Sequence, residues 1–161
     1  PEALASGSLG GLKDLSLYNN RIGDAGTTEF SRAIASGSMA NFRILGLQRN
    51  AIGDAGMIEL SRAIVSGSLR NLNTLDLSDN QISGAGMVSL SEALASGSMA
   101  NLVTLDLSDN EIGDAGVSAL AGAVASGSLP SLQTLVVDDG PLGTEHPQLN
   151  AACESRGIRL R

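Results

Sequence analysis

The chain has 161 residues, 42% of them apolar but only 2% aromatic, and a formal net charge of −7. That is the length and apolar content of one folded domain, with a core drawn from Leu, Ile, Val, Met and Ala. The acidic balance lacks the basic footprint of nucleic-acid binding, no apolar run reaches the ~20 residues of a membrane span, and a lone Cys153 excludes an internal disulfide and favours a reducing, intracellular compartment, cytoplasm or organelle.

The first residues, PEALASGSLGGL, match SEALASGSMANL from Ser91. Pro1 therefore stands where a helix interior stands in the later copy, so the chain is expected to begin inside a truncated unit of a longer protein. The opening has neither the basic region nor the apolar stretch of a secretory signal.

From Gly11 a unit of thirty residues runs without gaps through Asn41, Asn71 and Asn101, and a fifth begins at Ser131 and diverges. Its first half reads LxxLxLxxNxI. The short alternation predicts strands centred on Leu15, Leu45, Leu75, Leu105 and Leu135. Its second half reads GDAGxxxLSxAxASGS. Asp24, Asp54 and Asp114 fall where a helix N-cap belongs. Met57, Leu60, Ala63 and Ile64 recur at helical spacing, and Gly37, Gly67, Gly97 and Gly127 fit C-terminal caps. Glu29 with Arg32 and Glu59 with Arg62 are spaced for pairs along one helix face.

A βα unit this short cannot bury its apolar stripe alone, whereas stacked copies can. Parallel strands lie ~4.8 Å apart and helices are about 10 Å wide. The stack must therefore curve, strands on the concave side and helices on the convex side. After Val136 the pattern breaks, and Gly140 replaces the expected Asn. Pro147 suits a first helical turn, Leu149, Ala152 and Cys153 share one face, and Gly157 fits a C-cap. The last residues, IRLR, alternate like an edge strand closed by arginines. The expected organisation is repeats over 1–145, about 4.5 units with the first truncated, and a capping helix and strand over 146–161.

The LxxLxLxxN runs ending at Asn20, Asn50, Asn80 and Asn110, each followed by a GDAG-like helix start, resemble the leucine-rich repeats. The full helix per unit is similar to the ribonuclease-inhibitor-like subclass, and the phrases ALASGSM and IGDAG resemble tandem repeat proteins of algae and other protists. The resemblance implies an α/β leucine-rich-repeat solenoid, a horseshoe arc. It also implies a hydrogen-bonded ladder at the four asparagines and non-catalytic protein binding.

Candidate chemistry is sparse. Ser78-Asp79-Asn80 offers too few oxygens for a calcium loop, and no metal or cofactor is expected. A triad at His146, the single histidine, would need a nucleophile and an acid near it, and its place before Pro147 at an expected helix start is an ordinary one for a polar residue. Cys153 reads as a small hydrophobe on a helix face. No enzyme is expected. The residues flanking the inner leucines point to solvent from the strands, and they nominate a partner-binding face: Asp14, Tyr18, Ile44, Arg49, Asp76, Asp79, Asp106, Asp109, Asp138 and Asp139. Its acidic part suits a basic segment of a protein partner. The alternatives are a structural subunit lodged in a large assembly through its helices, and a regulator similar to the repeat proteins that act on small GTPases.

Overall fold

Among the described residues, six short parallel strands follow one another across a single open sheet in chain order: β1 (Asp14–Ser16), β2 (Ile44–Gly46), β3 (Thr74–Asp76), β4 (Thr104–Asp106), β5 (Thr134–Val136) and β6 (Arg159–Leu160). They alternate with helices α1 (Gly23–Ala33), α2 (Asp54–Val65), α3 (Gly84–Ala95), α4 (Gly113–Ala125) and α5 (Pro147–Arg156). This computed structural model describes residues 11–38, 40–137 and 146–161. The opening ten residues, with Pro1, and residues 138–145, with Asp138, Asp139 and Gly140, lie outside the described residues.

The repeat dictates the register. Leu15, Leu45, Leu75, Leu105, Leu135 and Leu160 pair in one row across the sheet. Leu45, Leu75, Leu105 and Leu135 are fully buried, and so are Leu60, Leu90 and Leu120 from the helices behind them. Each leucine thus lies on its own copy in the next unit, and one continuous core runs the length of the stack. Leu12, Leu15, Leu17 and Ile22 of the first described unit are only partly buried. The result is an α/β repeat solenoid with a strand-lined inner face and a helix-lined outer one.

Helix ends are built from the phrase SGS. Ser66, Ser96 and Ser126 donate their hydroxyls to the carbonyls of Ala63, Ala93 and Ala123 at 2.6, 2.6 and 2.7 Å. The next residue, Gly67, Gly97 or Gly127, takes a left-handed φ of 78–80°, which glycine alone adopts without Cβ strain. α1 instead runs on through a wide turn over Ile34–Ser38, with Gly37 at φ 84°. At the far end, Pro147 opens α5 and Gly157 closes it in the left-handed region. The Ile158 amide donates to the Cys153 carbonyl at 2.9 Å and leads the chain into β6.

Helix starts differ from the expectation that Asp24, Asp54 and Asp114 cap their own helices. α1 and α4 begin one residue earlier, at Gly23 and Gly113. Asp54 is the first residue of α2, whose N-cap, Gly53, has no side-chain bond. The physical reason is the direction of the side chain. Asp24 Oδ1 accepts from the amides of Gly53 (2.7 Å) and Gly56 (3.0 Å) of the following unit. Asp54 Oδ1 accepts from Ser83 (2.8 Å) and Gly86 (2.9 Å), and its Oδ2 from the Ser83 hydroxyl (2.6 Å). These aspartates cap the next helix rather than their own. Gly86 has no room for a side chain because a Cβ there would lie 2.6 Å from Asp54 Oδ1.

Candidate binding face

Every residue of LDLSDN has a position that its chemistry explains. Leu75 and Leu77, and Leu105 and Leu107, point inward and are buried. Asp76, between its two leucines, points to the open face. Its Oδ1 accepts from the Ser78 amide (3.0 Å) and hydroxyl (2.7 Å), and Asp106 repeats this with Ser108 at 3.0 and 2.6 Å. Asp76 and Asp106 are neighbours in register on β3 and β4. Asp79 and Asp109 follow in the left-handed region, with φ 52° and 54°, at the place Asn19 and Arg49 hold in the earlier units. Asp and Asn tolerate that conformation better than most residues.

The asparagines that end each strand are committed to backbone. The Asn50 side chain donates to the carbonyls of Leu17 (2.8 Å), Leu47 (3.0 Å) and Gln48 (3.2 Å), and accepts from the amides of Asn20 (2.9 Å) and Ile22 (3.3 Å). Asn80 repeats the pattern on Leu47, Leu77 and Ser78 and on the amides of Asn50 and Ile52. Asn110 bonds Leu77, Leu107, Ser108 and the amide of Ile82. Asn20, exposed at the start of the row, bonds Leu17 and Tyr18 within its own turn.

On the strand side of the first two units the face has another character. Tyr18 and Ile44 are exposed at 48% and 44%. The Arg49 guanidinium lies 5.8 Å from the centroid of the Tyr18 ring, donates to its hydroxyl at 3.1 Å, and pairs with Asp79 at 2.5 Å. The Asp79 bond, then the Tyr18 bond, push the Arg49 pKa up. Asp14 is exposed at the start of β1. Asp14, Ile44, Asp76 and Asp106 thus lie in the strands and Tyr18 just beyond β1, while Arg49, Asp79 and Asp109 stand in the left-handed turns that follow the strands.

Sequence reasoning missed a second set. Lys13, Arg21 and Arg43 stand exposed in the first two units and Glu111 in the fourth. Their signal lay in the columns next to those nominated, Lys13 and Arg43 one residue before the strand and Arg21 and Glu111 two residues after the Asn19–Asp109 column. Also missed was a second asparagine row: Asn71 and Asn101 donate to the carbonyls of Ala40 (2.7 Å) and Arg70 (2.8 Å) one unit back. The recurrence of Asn at the head of the units was its signal.

Elsewhere the chemistry is quiet. Among the described residues no cluster of three or more His, Cys, Asp or Glu side chains is arranged for a metal ion. No described helix is long and apolar enough to cross a membrane. Cys153 is buried and burial pushes its thiol pKa up, which keeps it in the unreactive protonated form. His146 precedes Pro147 and makes no side-chain cap bond. With Asp114, Ser118 and Gln148 it lines a shallow depression between α4 and α5.

Comparison with known proteins agrees with the repeat. A leucine-rich-repeat family model matches residues 38–61, 68–91 and 98–121. No curated protein matches the sequence. Among solved structures, one titled leiomodin-1 actin-binding site 2 superposes with a TM-score of 0.71 at 16% identity. It covers 96% of this chain and 88% of its own. At that identity the likeness is one of fold.

Proposed function

We propose that this chain of leucine-rich repeats is a non-catalytic protein-interaction scaffold, and that its strand face receives a basic segment of a protein partner. The observation that carries the reading is the acidic run on the third and fourth units. Asp76, Asp79, Asp106, Asp109 and Glu111 occupy residues 71–82 and 101–112, and these two stretches contain no Lys or Arg. The Ser78 and Ser108 bonds hold the Asp76 and Asp106 carboxylates in place before a partner arrives, so little side-chain freedom remains to be lost on binding. The solved neighbour is itself titled an actin-binding site; from it we carry over only the class of partner, a protein.

The test pairs Asp76→Asn with Asp106→Asn and titrates an oligolysine peptide at two salt concentrations. The double variant should bind more weakly and with a flatter salt dependence. Unchanged binding at both salts rejects the face. A second reading, docking through the outer helices into a larger assembly, draws on Val65, exposed at 53% and lining the groove between α2 and α3, and on Val88 of α3, exposed at 36%. Val65→Lys distinguishes the two, because it should weaken only an assembly made through the helices.

A further inference from the structure

The loop rim at the carboxyl ends of the strands changes sign along the solenoid. Arg21 and Arg49 stand on it in the first two units, and Asp79, Asp109 and Glu111 in the next two, all exposed. The two halves meet at the Arg49–Asp79 ion pair. A shallow depression opens at that junction, lined by Asn19, Arg49, Ala51, Asp79, Asn80 and Gln81. The strand side behind the rim leans the same way: beyond the rim residues, 11–22 and 41–52 hold Lys13 and Arg43 with one acid, Asp14, whereas 71–82 and 101–112 hold Asp76 and Asp106 and no cation.

We propose that the occupant of this rim is an extended segment of a protein partner with two opposite charge blocks. Its acidic end lies over Arg21 and Arg49 and its basic end over Asp79, Asp109 and Glu111. This rests on the reading above, and it replaces a uniformly basic partner with one of mixed charge. Strand spacing fixes the length. Three steps of ~4.8 Å separate the first unit from the fourth, about 15 Å, which roughly five extended residues span. A uniformly basic segment of that length would set some of its charges against the cations of the first half. A second copy of the chain offers a complementary rim too, but a net charge of −7 repels it at long range.

The probe is a synthetic peptide with two glutamates at one end, three lysines at the other and serine between. It is titrated at low salt into isotope-labelled protein beside two controls. One has the same composition with the charges alternated, and the other has serine in place of glutamate. The block peptide should bind about fivefold tighter than the alternated one, shifting the amides of Arg21, Arg49, Asp79 and Glu111. Arg21→Glu and, separately, Glu111→Lys should each erase that preference. Both side chains are exposed and outside the ladder, so the fold is expected to survive. If the serine-substituted basic peptide binds as tightly as the block peptide, the mixed-charge proposal is overturned and the basic-partner reading stands. If no peptide shifts any strand-side amide, both fall. A doubled mass at low salt that Arg21→Glu abolishes overturns it in favour of a second copy.

Discussion

At the scale of residues, the fold depends on polar side chains that serve the backbone of a neighbouring unit. Asn50 is fully buried and its side chain occupies five backbone groups drawn from two units. Asn50→Ala leaves buried amides and carbonyls without partners, each worth about 1 kcal/mol or more. It should destabilise the chain by about 3 kcal/mol in a urea melt, against less than about 1 for the exposed Asn20→Ala. Equal losses would mean that water substitutes for the ladder. The opposite case is a row of serines on the helices. Ser31, Ser61 and Ser91 are buried and their hydroxyls have no hydrogen-bond partner. The fourth unit has Ala121 in that place, also buried. Ser61→Ala should therefore raise stability by about 1 kcal/mol, the desolvation of an unpaired hydroxyl. A lower urea midpoint would show that the hydroxyl has a partner.

At the scale of elements, two kinds of helix start coexist, and one side chain distinguishes them. Before α2 and α3 the N-cap residue is extended, with φ −100° at Gly53 and −98° at Ser83, and its amide is held by Asp24 or Asp54 of the preceding unit. Before α4 the position that would supply the aspartate is Gly84. There Ile112 is helical and Gly113 turns left-handed, φ 61°. Gly84→Asp should bring α4 to the extended start and stabilise it by about 1 kcal/mol, as a cap does. The Ile112 carbonyl must yield a few tenths of an ångström, since a Cβ at Gly84 would lie 3.3 Å from it. Gly113→Ala reports the change. It should destabilise the native chain through its positive φ and do so less in the Gly84→Asp background; an unchanged penalty rejects the switch. Asp54 adds a pH signature. Burial pushes its carboxyl up, but the bonds from Ser83 and Gly86 outweigh this and hold the pKa below the ordinary value. Its contribution is present above the unfolded value, about 3.9, and is lost as pH falls through the lower folded value. The stability gap between the wild type and Asp54→Ala should accordingly close on acidification. Sequence assigns these aspartates to their own helices because it shows which residue types cap a helix, not which helix they reach. Their partners lie 29 and 32 residues away.

At the scale of the whole molecule, what was legible in the sequence was what the period controls. A stripe of leucines every thirty residues has one place to go, so strands, helices and their parallel order follow from it. The left-handed C-caps were legible too, because Gly alone suits them. The serine bonds that close the same turns were not, since a hydroxyl names no partner. The rim's change of sign was present in Arg21, Arg49, Asp79, Asp109 and Glu111 but is visible only when units are compared as columns. The same one-dimensional order governs stability, because each unit packs on its neighbours alone. Leu75 is fully buried between its copies Leu45 and Leu105, whereas Leu15 is only partly buried and pairs with Leu45. Leu75→Ala opens a cavity in the middle of the stack and should cost about 3–5 kcal/mol. It also weakens the coupling between the two sides, so the urea transition should broaden and its m-value fall as the sides begin to unfold separately. Leu15→Ala should cost about half as much and leave the m-value unchanged, because it loosens one end without dividing the core. If both variants lose the same stability with unchanged m-values, the chain unfolds as one globule and nearest-neighbour stacking is the wrong description of it.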